Sequence, residues 1–408
     1  MSAPIGYLVP AVLVGLAVFF VLAPLKTARR FGPAGFLLGV VDEIPFLAFM
    51  WLAGSTALAF AQDTVHTFVG WLAFGLSVAG MLGLLVMIGY SLKARRIVRD
   101  ALDEGLGNGW TETIRPGLAK KLSRLTPAVV LGPLFRRRAG VQHMRNLNYA
   151  GDDSWSHTLD VYRGRSPSGK RPVLVHLHSG GLRGGRKDKD ALPLLYYLAK
   201  RGWLCVSANY RLSPEATWPE HLVDAKRAIA WVREHASEFG ADPHTIFIAG
   251  GSSGGQLAAL VALTAHDRQL QPGFERADTS VCAAISLYGD YDWTETSDLK
   301  GRSGYLAPIL KHVSDERAVR RDASPVMRVH KNAPPFFIWH GTHDTTLPVA
   351  DARVFAAKLR AVSKNPVVYA ELPGAQHNFD QFNSIRAQVA ARAIEGFADW
   401  VLASRRKV

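Results

Sequence analysis

Polar positions are nearly missing from three stretches of the first hundred residues. Ile5–Leu25 and Phe68–Leu92 are uncharged runs of 21 and 25 residues. At 1.5 Å rise per residue, each is long enough to cross a bilayer as a helix. Pro45–Ala61 is a shorter uncharged run, extended backwards by Phe36–Val41 but interrupted by Asp42 and Glu43. We read it as a third span, the alternative being a re-entrant or interfacial segment. From about Gln142 the pattern changes to short apolar runs separated by segments of helical period. Strands are predicted at Leu147–Tyr149, Thr158–Tyr162, Pro172–His178, Trp203–Ala208, Ile246–Ala249, Val281–Leu287, Phe336–His340 and Val367–Leu372. Helices are predicted at Ala191–Lys200, Pro219–Ala236, from Gln256 onward, at Val349–Ala361 and at Ser384–Ser404. Alternating strands and helices with uniformly apolar strands predict a mostly parallel sheet covered on both faces.

Charge divides the chain further. The formal net charge is +14, yet residues 1–92 sum to zero and residues 93–145 carry a net of +8. A basic excess beside an apolar N-terminus points to anionic lipid as the partner. No nucleic-acid-binding signature accompanies it. Lys26, Arg29 and Arg30 follow the first run, and Lys93, Arg95, Arg96 and Arg99 follow the last. With three spans both basic loops fall on the cytoplasmic side, and the remaining domain with them. A secretory signal peptide fits the first run poorly, because Met1–Pro10 has no Lys or Arg. The expected organisation is a transmembrane region of about three helices at 1–92, a basic amphipathic connector or cap at 93–141, and a catalytic domain at 142–408. Within the connector, Leu118, Leu122 and Leu125 interleave with Lys120, Lys121 and Arg124, which suits a membrane surface or a cap. Gly75, Ala79 and Gly83, and likewise Ala53, Ala57 and Ala61, form small-residue stripes that either let apolar helices approach closely or reflect the abundance of Gly and Ala in membrane helices. Cys205 and Cys282 lie in separate apolar runs and imply no disulfide framework.

Candidate chemistry sits on the loops after strands. Gly250-Gly251-Ser252-Ser253-Gly254-Gly255 lies between an apolar strand and a small-residue helix, the context of a nucleophile elbow. The Gly-x-Ser-x-Gly pattern fits both Ser252 and Ser253; strand register favours Ser252. Gly341-Thr342-His343-Asp344 and Pro373-Gly374-Ala375-Gln376-His377 follow later strands. Ser252, Asp344 and His377 thus stand in the chain order of an α/β-hydrolase triad. The serine needs a base to take its proton, His377 suits that task, and Asp344 would orient the imidazole. Backbone N–H groups of Gly180, Gly181 and Ser253 would bind an oxyanion. Asp290 and Asp292 rival Asp344 as the acid, and His343 rivals His377 as the base. His340, His343 and Asp344 lack the spacing of a metal motif, and Gly180–Lys187 fails the P-loop pattern.

Taken together, His178-Ser179-Gly180-Gly181, Asn209–Pro214, Ala241-Asp242-Pro243, Gly250–Gly255, Gly341–Asp344 and His377-Asn378-Phe379 resemble the hormone-sensitive-lipase family of α/β-hydrolases, especially its bacterial membrane-anchored esterases. The resemblance covers roughly residues 142–405. It implies an α/β-hydrolase fold with cap helices from the N-terminal side, Ser252 as nucleophile with Asp344 and His377, and Gly180, Gly181 and Ser253 as oxyanion donors. It further implies hydrolysis of carboxylic esters without metal or cofactor; a triad beside a basic membrane-proximal segment makes short- to medium-chain or membrane-derived esters the expected substrates. Three positions depart from the family pattern. Ser179 replaces the first glycine of the His-Gly-Gly-Gly loop, Gly251 replaces the acidic residue before the nucleophile, and Ser253 replaces the alanine after it. An amidase or peptidase would use the same triad. A non-catalytic ligand-binding protein on this fold usually lacks the histidine, which is present here.

Overall fold

The computed structural model describes residues 5–23, 39–122, 124–126, 129, 139–165, 170–294 and 315–406. Lys26, Arg29 and Arg30, together with Pro127, Pro133 and Arg136, Arg137 and Arg138, lie outside the described residues. One sheet of eight strands organises the C-terminal two thirds: β1 (Val141–Asn148), β2 (Thr158–Gly164), β3 (Arg171–Leu177), β4 (Leu204–Ala208), β5 (Ala241–Gly251), β6 (Ala284–Leu287), β7 (Phe336–Gly341) and β8 (Val367–Leu372). Their spatial order is β1-β2-β4-β3-β5-β6-β7-β8. The β1–β2 and β2–β4 pairs are antiparallel, and every later pair is parallel.

Side chains alternate along each strand, so neighbouring residues feed opposite faces. On β5, Ile246 and Ile248 enter one core layer, while Phe247 and Ala249 enter the other. The first layer is closed by α5 (Glu220–His235), α6 (Ser253–Leu263) and α7 (Val349–Val362), through residues such as Ile229, Leu257 and Phe355. The second is closed by α4 (Leu192–Lys200) and α8 (Ile385–Arg405), through Leu195, Leu198, Ile394 and Phe397.

Among the described residues, three long apolar helices precede the sheet: α1 (Ile5–Leu22), α2 (Pro45–Ala61) and α3 (Phe68–Leu106). Of these, α1 and α3 are long and apolar enough to cross a membrane, and α2 is a shorter apolar helix. Their shared core holds Val14, Val18, Leu52, Ala73, Leu84 and Met87. Large apolar side chains such as Leu13, Leu16, Trp51, Trp71, Leu82 and Leu85 face outward.

The expected boundary at residue 92 is no break in structure. The last apolar run and the basic segment after it form one 39-residue helix, α3. At 1.5 Å per residue it is about 58 Å long, nearly twice the roughly 30 Å of a bilayer's hydrocarbon core. Its second half joins the sheet: Ala94, Val98 and Leu102 are buried in the second core layer. A Cβ on Gly105 would stand 2.8 Å from Val368 of β8. The connector that follows packs onto α8, with Trp110, Ile114 and Leu118 buried and Leu125 packed against the same layer. Arg115 pairs with Asp399 and Glu395. The connector's described apolar side chains pack against the sheet domain.

The small-residue stripes differ from expectation too. Gly75, Ala79, Ala57 and Ala61 face outward, whereas Ala73, Ser77 and Gly80 are buried. Close approach falls at Gly80 and Gly83, where an added Cβ would stand 3.2 Å from Leu52 and 2.2 Å from Val18. Cys205 and Cys282 are free and buried.

Candidate active site

The three triad candidates come from loops at the carboxyl ends of β5, β7 and β8, where open α/β sheets gather ligand-binding groups. β5 runs into Gly251, and α6 begins at Ser253. Between them Ser252 takes φ 56° and ψ −124°, a backbone state few non-glycine residues adopt. The turn is tight enough to dictate its neighbours. A Cβ on Gly250 would lie 2.2 Å from the Gly254 carbonyl oxygen, and one on Gly254 would lie 2.2 Å from that of Leu177. The Ser252 N–H donates to the Leu287 carbonyl at 2.9 Å, tying the turn to β6.

Ser252 Oγ lies 2.9 Å from His377 Nε2, and His377 Nδ1 lies 2.7 Å from Asp344 Oδ2. With the carboxylate accepting from Nδ1–H, Nε2 is left bare to accept the serine proton. The other Asp344 oxygen accepts the N–H groups of Thr346 and Leu347, each at 2.8 Å. His340 Nε2 stands 3.2 Å from Asp344 Oδ2, a second imidazole on the same carboxylate. Burial alone would raise the Asp344 pKa; the charge of His377 and the hydrogen bonds of His340 and His377 outweigh it and hold the group well below the carboxylate range.

The two serines are told apart by geometry. Ser252 meets the imidazole, whereas Ser253 Oγ accepts the Gly181 N–H at 2.9 Å. The rivals point elsewhere. His343 Nδ1 lies 2.9 Å from the Val21 carbonyl at the end of α1. Asp290 accepts from the Trp293 indole at 2.9 Å, and Asp292 from the Thr294 N–H at 2.7 Å.

The loop after β3 brings Gly180 and Gly181 beside the elbow. Gly180 has φ +123°, and a Cβ there would lie 2.2 Å from the Gly184 carbonyl, so only glycine fits. Ser179, the departure in this loop, has a role: its N–H donates to Asp190 Oδ2 at 2.7 Å and its hydroxyl to the same oxygen at 2.5 Å. The Asn209–Pro214 stretch supports the loop from below. Tyr210 stacks on His178 with ring centroids 4.2 Å apart and donates its hydroxyl to the His178 carbonyl at 2.8 Å. Arg211 grips Asp224 through Nε at 2.9 Å and Nη2 at 2.8 Å.

Sequence reasoning missed several residues of this site. Tyr288 follows β6 directly; its ring lies 4.7 Å from that of His377, and its hydroxyl donates to Asp380. A Cβ on Gly251 would stand 2.5 Å from that hydroxyl, so the glycine in place of an acidic residue makes room for the tyrosine. Burial, reinforced by the charge of Asp190, pushes Asp380 up to about 6 against the pull of the Tyr288 hydrogen bond. The signal available was position: Tyr288 directly follows a strand, as do Asp290 and Asp292. Asp42 showed only as a charge interrupting an apolar run, and Asp190 gave no local signal.

Comparison with known proteins agrees with this architecture. The BD-FAE family matches residues 159–359. The chain is 42% identical over 347 residues to the probable carboxylic ester hydrolase LipM of Mycobacterium tuberculosis, covering 83% of this chain and 79% of that one. It is 42% identical over 284 residues to esterase LipC of the same organism, covering 68% and 69%. Among solved structures, a phosphonate-inhibited esterase B from Lactobacillus rhamnosis superposes with a TM-score of 0.58 at 18% identity, covering 66% of this chain and 88% of that one; at that identity it bears on the fold alone. The elbow, the strand-end loops and these relatives converge: the chain belongs to the hormone-sensitive-lipase-like carboxylic ester hydrolases of the α/β-hydrolase fold.

Proposed function

We propose that this chain is a membrane-anchored serine esterase in which Ser252, His377 and Asp344 act as nucleophile, base and orienting acid. The observation that carries the reading is the unbroken hydrogen-bond chain from Asp344 through His377 to Ser252 on a strained turn. Ser252 Oγ attacks the ester carbonyl as its proton passes to His377 Nε2. Asp344, already ionised, stabilises the imidazolium. The oxyanion is received by the N–H groups of Gly180, Gly181 and Ser253. The Ser253 N–H begins α6 and has no carbonyl within the helix to meet. The Gly181 N–H turns from Ser253 Oγ to the oxyanion as that hydroxyl rotates. His377 then returns its proton to the departing alkoxide, and a water deprotonated by the same imidazole cleaves the acyl-enzyme. A cleft of about 430 Å³ lined by Gly180, Gly181, Arg183, Gly184, Ser213 and Pro214 opens beside this loop, within the range of small-molecule sites.

The outward-facing apolar side chains of α1, α2 and α3 support a membrane location. The end of α1, residues 39–43 before α2 and the second half of α3 all meet the catalytic domain. That arrangement supports three crossings, with Lys93, Arg95, Arg96 and Arg99 on the cytoplasmic side, and esters drawn from the bilayer as substrates.

The test compares p-nitrophenyl acyl ester turnover by full-length wild type and Ser252→Ala across acyl lengths. Turnover is expected to fall by about 10⁵-fold or more in the variant; undiminished turnover rejects the assignment.

A further inference from the structure

We infer that Asp42, which lies before α2 and outside the catalytic domain, is a positioning residue for His377: its carboxylate, locked against Arg386, holds the loop that carries the imidazole. The inference rests on the triad reading and concerns how that triad is kept in register.

Asp42, Glu43 and Arg386 are all buried, at 1%, 4% and 0% exposure. Burying three charged groups is costly unless each is paired. Arg386 Nη1 lies 3.0 Å from Asp42 Oδ2 and 2.6 Å from Glu43 Oε1. Arg386 stands at the start of α8, immediately after the loop that bears His377.

The pair reaches that loop at two points. The N–H of Gln376, the residue before His377, donates to Asp42 Oδ2 at 3.1 Å. Arg386 Nη2 donates to the Pro373 carbonyl at 3.3 Å. The same glutamine ties the loop to the acid's own: its Oε1 accepts the Thr345 hydroxyl at 3.2 Å, next to Asp344.

Other contacts from the N-terminal helices converge on the same two loops. Tyr90 of α3 lies over Gly374, where a Cβ would stand 2.6 Å from its ring. A Cβ on Gly39 would stand 3.5 Å from the His377 carbonyl. Val21 of α1 meets His343, the residue before Asp344. Glu43 supplies an internal contrast: it binds Arg386 with the same burial, yet its contacts are Arg386 and Ser384, not the loop between Pro373 and His377.

Displacing a catalytic group by about 1 Å costs on the order of 100-fold in rate. Removing Asp42 is therefore expected to act on kcat rather than on substrate affinity.

The experiment uses full-length protein in detergent, with Asp42→Ala, Asp42→Asn and Glu43→Gln beside wild type. A fluorophosphonate probe counts competent sites, so that rates are expressed per labelled molecule and unfolded protein drops out. Wild type is expected to label at Ser252. Asp42→Ala should show kcat per labelled site lower by about 10- to 100-fold, with KM within about twofold. Asp42→Asn should recover part of the loss, because its amide oxygen still accepts the Gln376 N–H. Glu43→Gln should melt at lower temperature yet keep kcat near wild type. Wild-type kcat per site in Asp42→Ala, or equal losses of kcat in Asp42→Ala and Glu43→Gln, overturns the inference. A wild type that does not label at Ser252 overturns the triad reading, and the inference with it.

Discussion

The nucleophile turn and the histidine loop meet at one hydrogen bond but are held by different means. Ser252 is fixed by its own backbone: a strained φ, two glycines with no room for a Cβ, and an N–H on the neighbouring strand. His377 sits on a loop whose stays come from elsewhere: Asp42 just before α2, Tyr90 from α3, Arg386 from α8, and Tyr288 just after β6. On the proposed triad, the nucleophile is built locally and needs only its motif, whereas the base is held from a distance, which would tie activity to the assembly of the whole chain, apolar helices included.

Four perturbations sharpen or break this contrast. The largest effect is expected from Asp344→Asn, which keeps the shape but reverses the hydrogen-bond polarity on His377 Nδ1. It should lower kcat about 10⁴-fold in steady-state ester hydrolysis; a loss under tenfold would mean another group orients the imidazole. Gly250→Ala comes next. Its Cβ meets backbone rather than a movable side chain, so thermal unfolding should show a loss of about 3 kcal/mol. An unchanged melting temperature would show that the elbow relaxes and is not held by close backbone approach.

Asp380→Asn probes the histidine side through pH. The carboxyl titrates near 6 in the folded protein against 3.8 in its ordinary state. Between those values the folded state binds more protons than the unfolded, so this group lowers stability as pH rises from about 4 to 6, and its effect levels off above. Melting temperatures of wild type and variant should therefore diverge in the variant's favour across that interval; a constant difference would contradict the assignment. The smallest effect is expected for Ser253→Ala, which deletes the acceptor for the Gly181 N–H but keeps the Ser253 N–H. Ester kcat should fall roughly three- to tenfold, and a loss comparable to that of Ser252→Ala would break the distinction between the two serines.

The same contrast explains what the sequence made legible. Strand and helix positions followed from apolar runs and their period, and β3, β7, β8, α4, α5 and α7 begin and end within one or two residues of expectation. The tight turn at Ser252 was readable because such turns demand glycine at fixed offsets, and the loops bearing Asp344 and His377 because open α/β sheets gather polar groups at strand ends. Asp42 was visible only as a charge interrupting an apolar run, since its partner Arg386 lies 344 residues away in sequence. Tyr288 was hidden because an aromatic residue after an apolar strand is an ordinary core pattern. The helix α3 was divided at its change of composition, although backbone geometry continues across it. Strand register already favoured Ser252 over Ser253; its positive φ and its 2.9 Å approach to His377 add what no pattern of Gly and Ser supplies.

The most direct test of the account is to label full-length protein with a fluorophosphonate and map the modified peptide by mass spectrometry. The account predicts one adduct, on Ser252, that forms in wild type and is lost in His377→Ala. An adduct on Ser253, or labelling of Ser252 at an undiminished rate without His377, would contradict it.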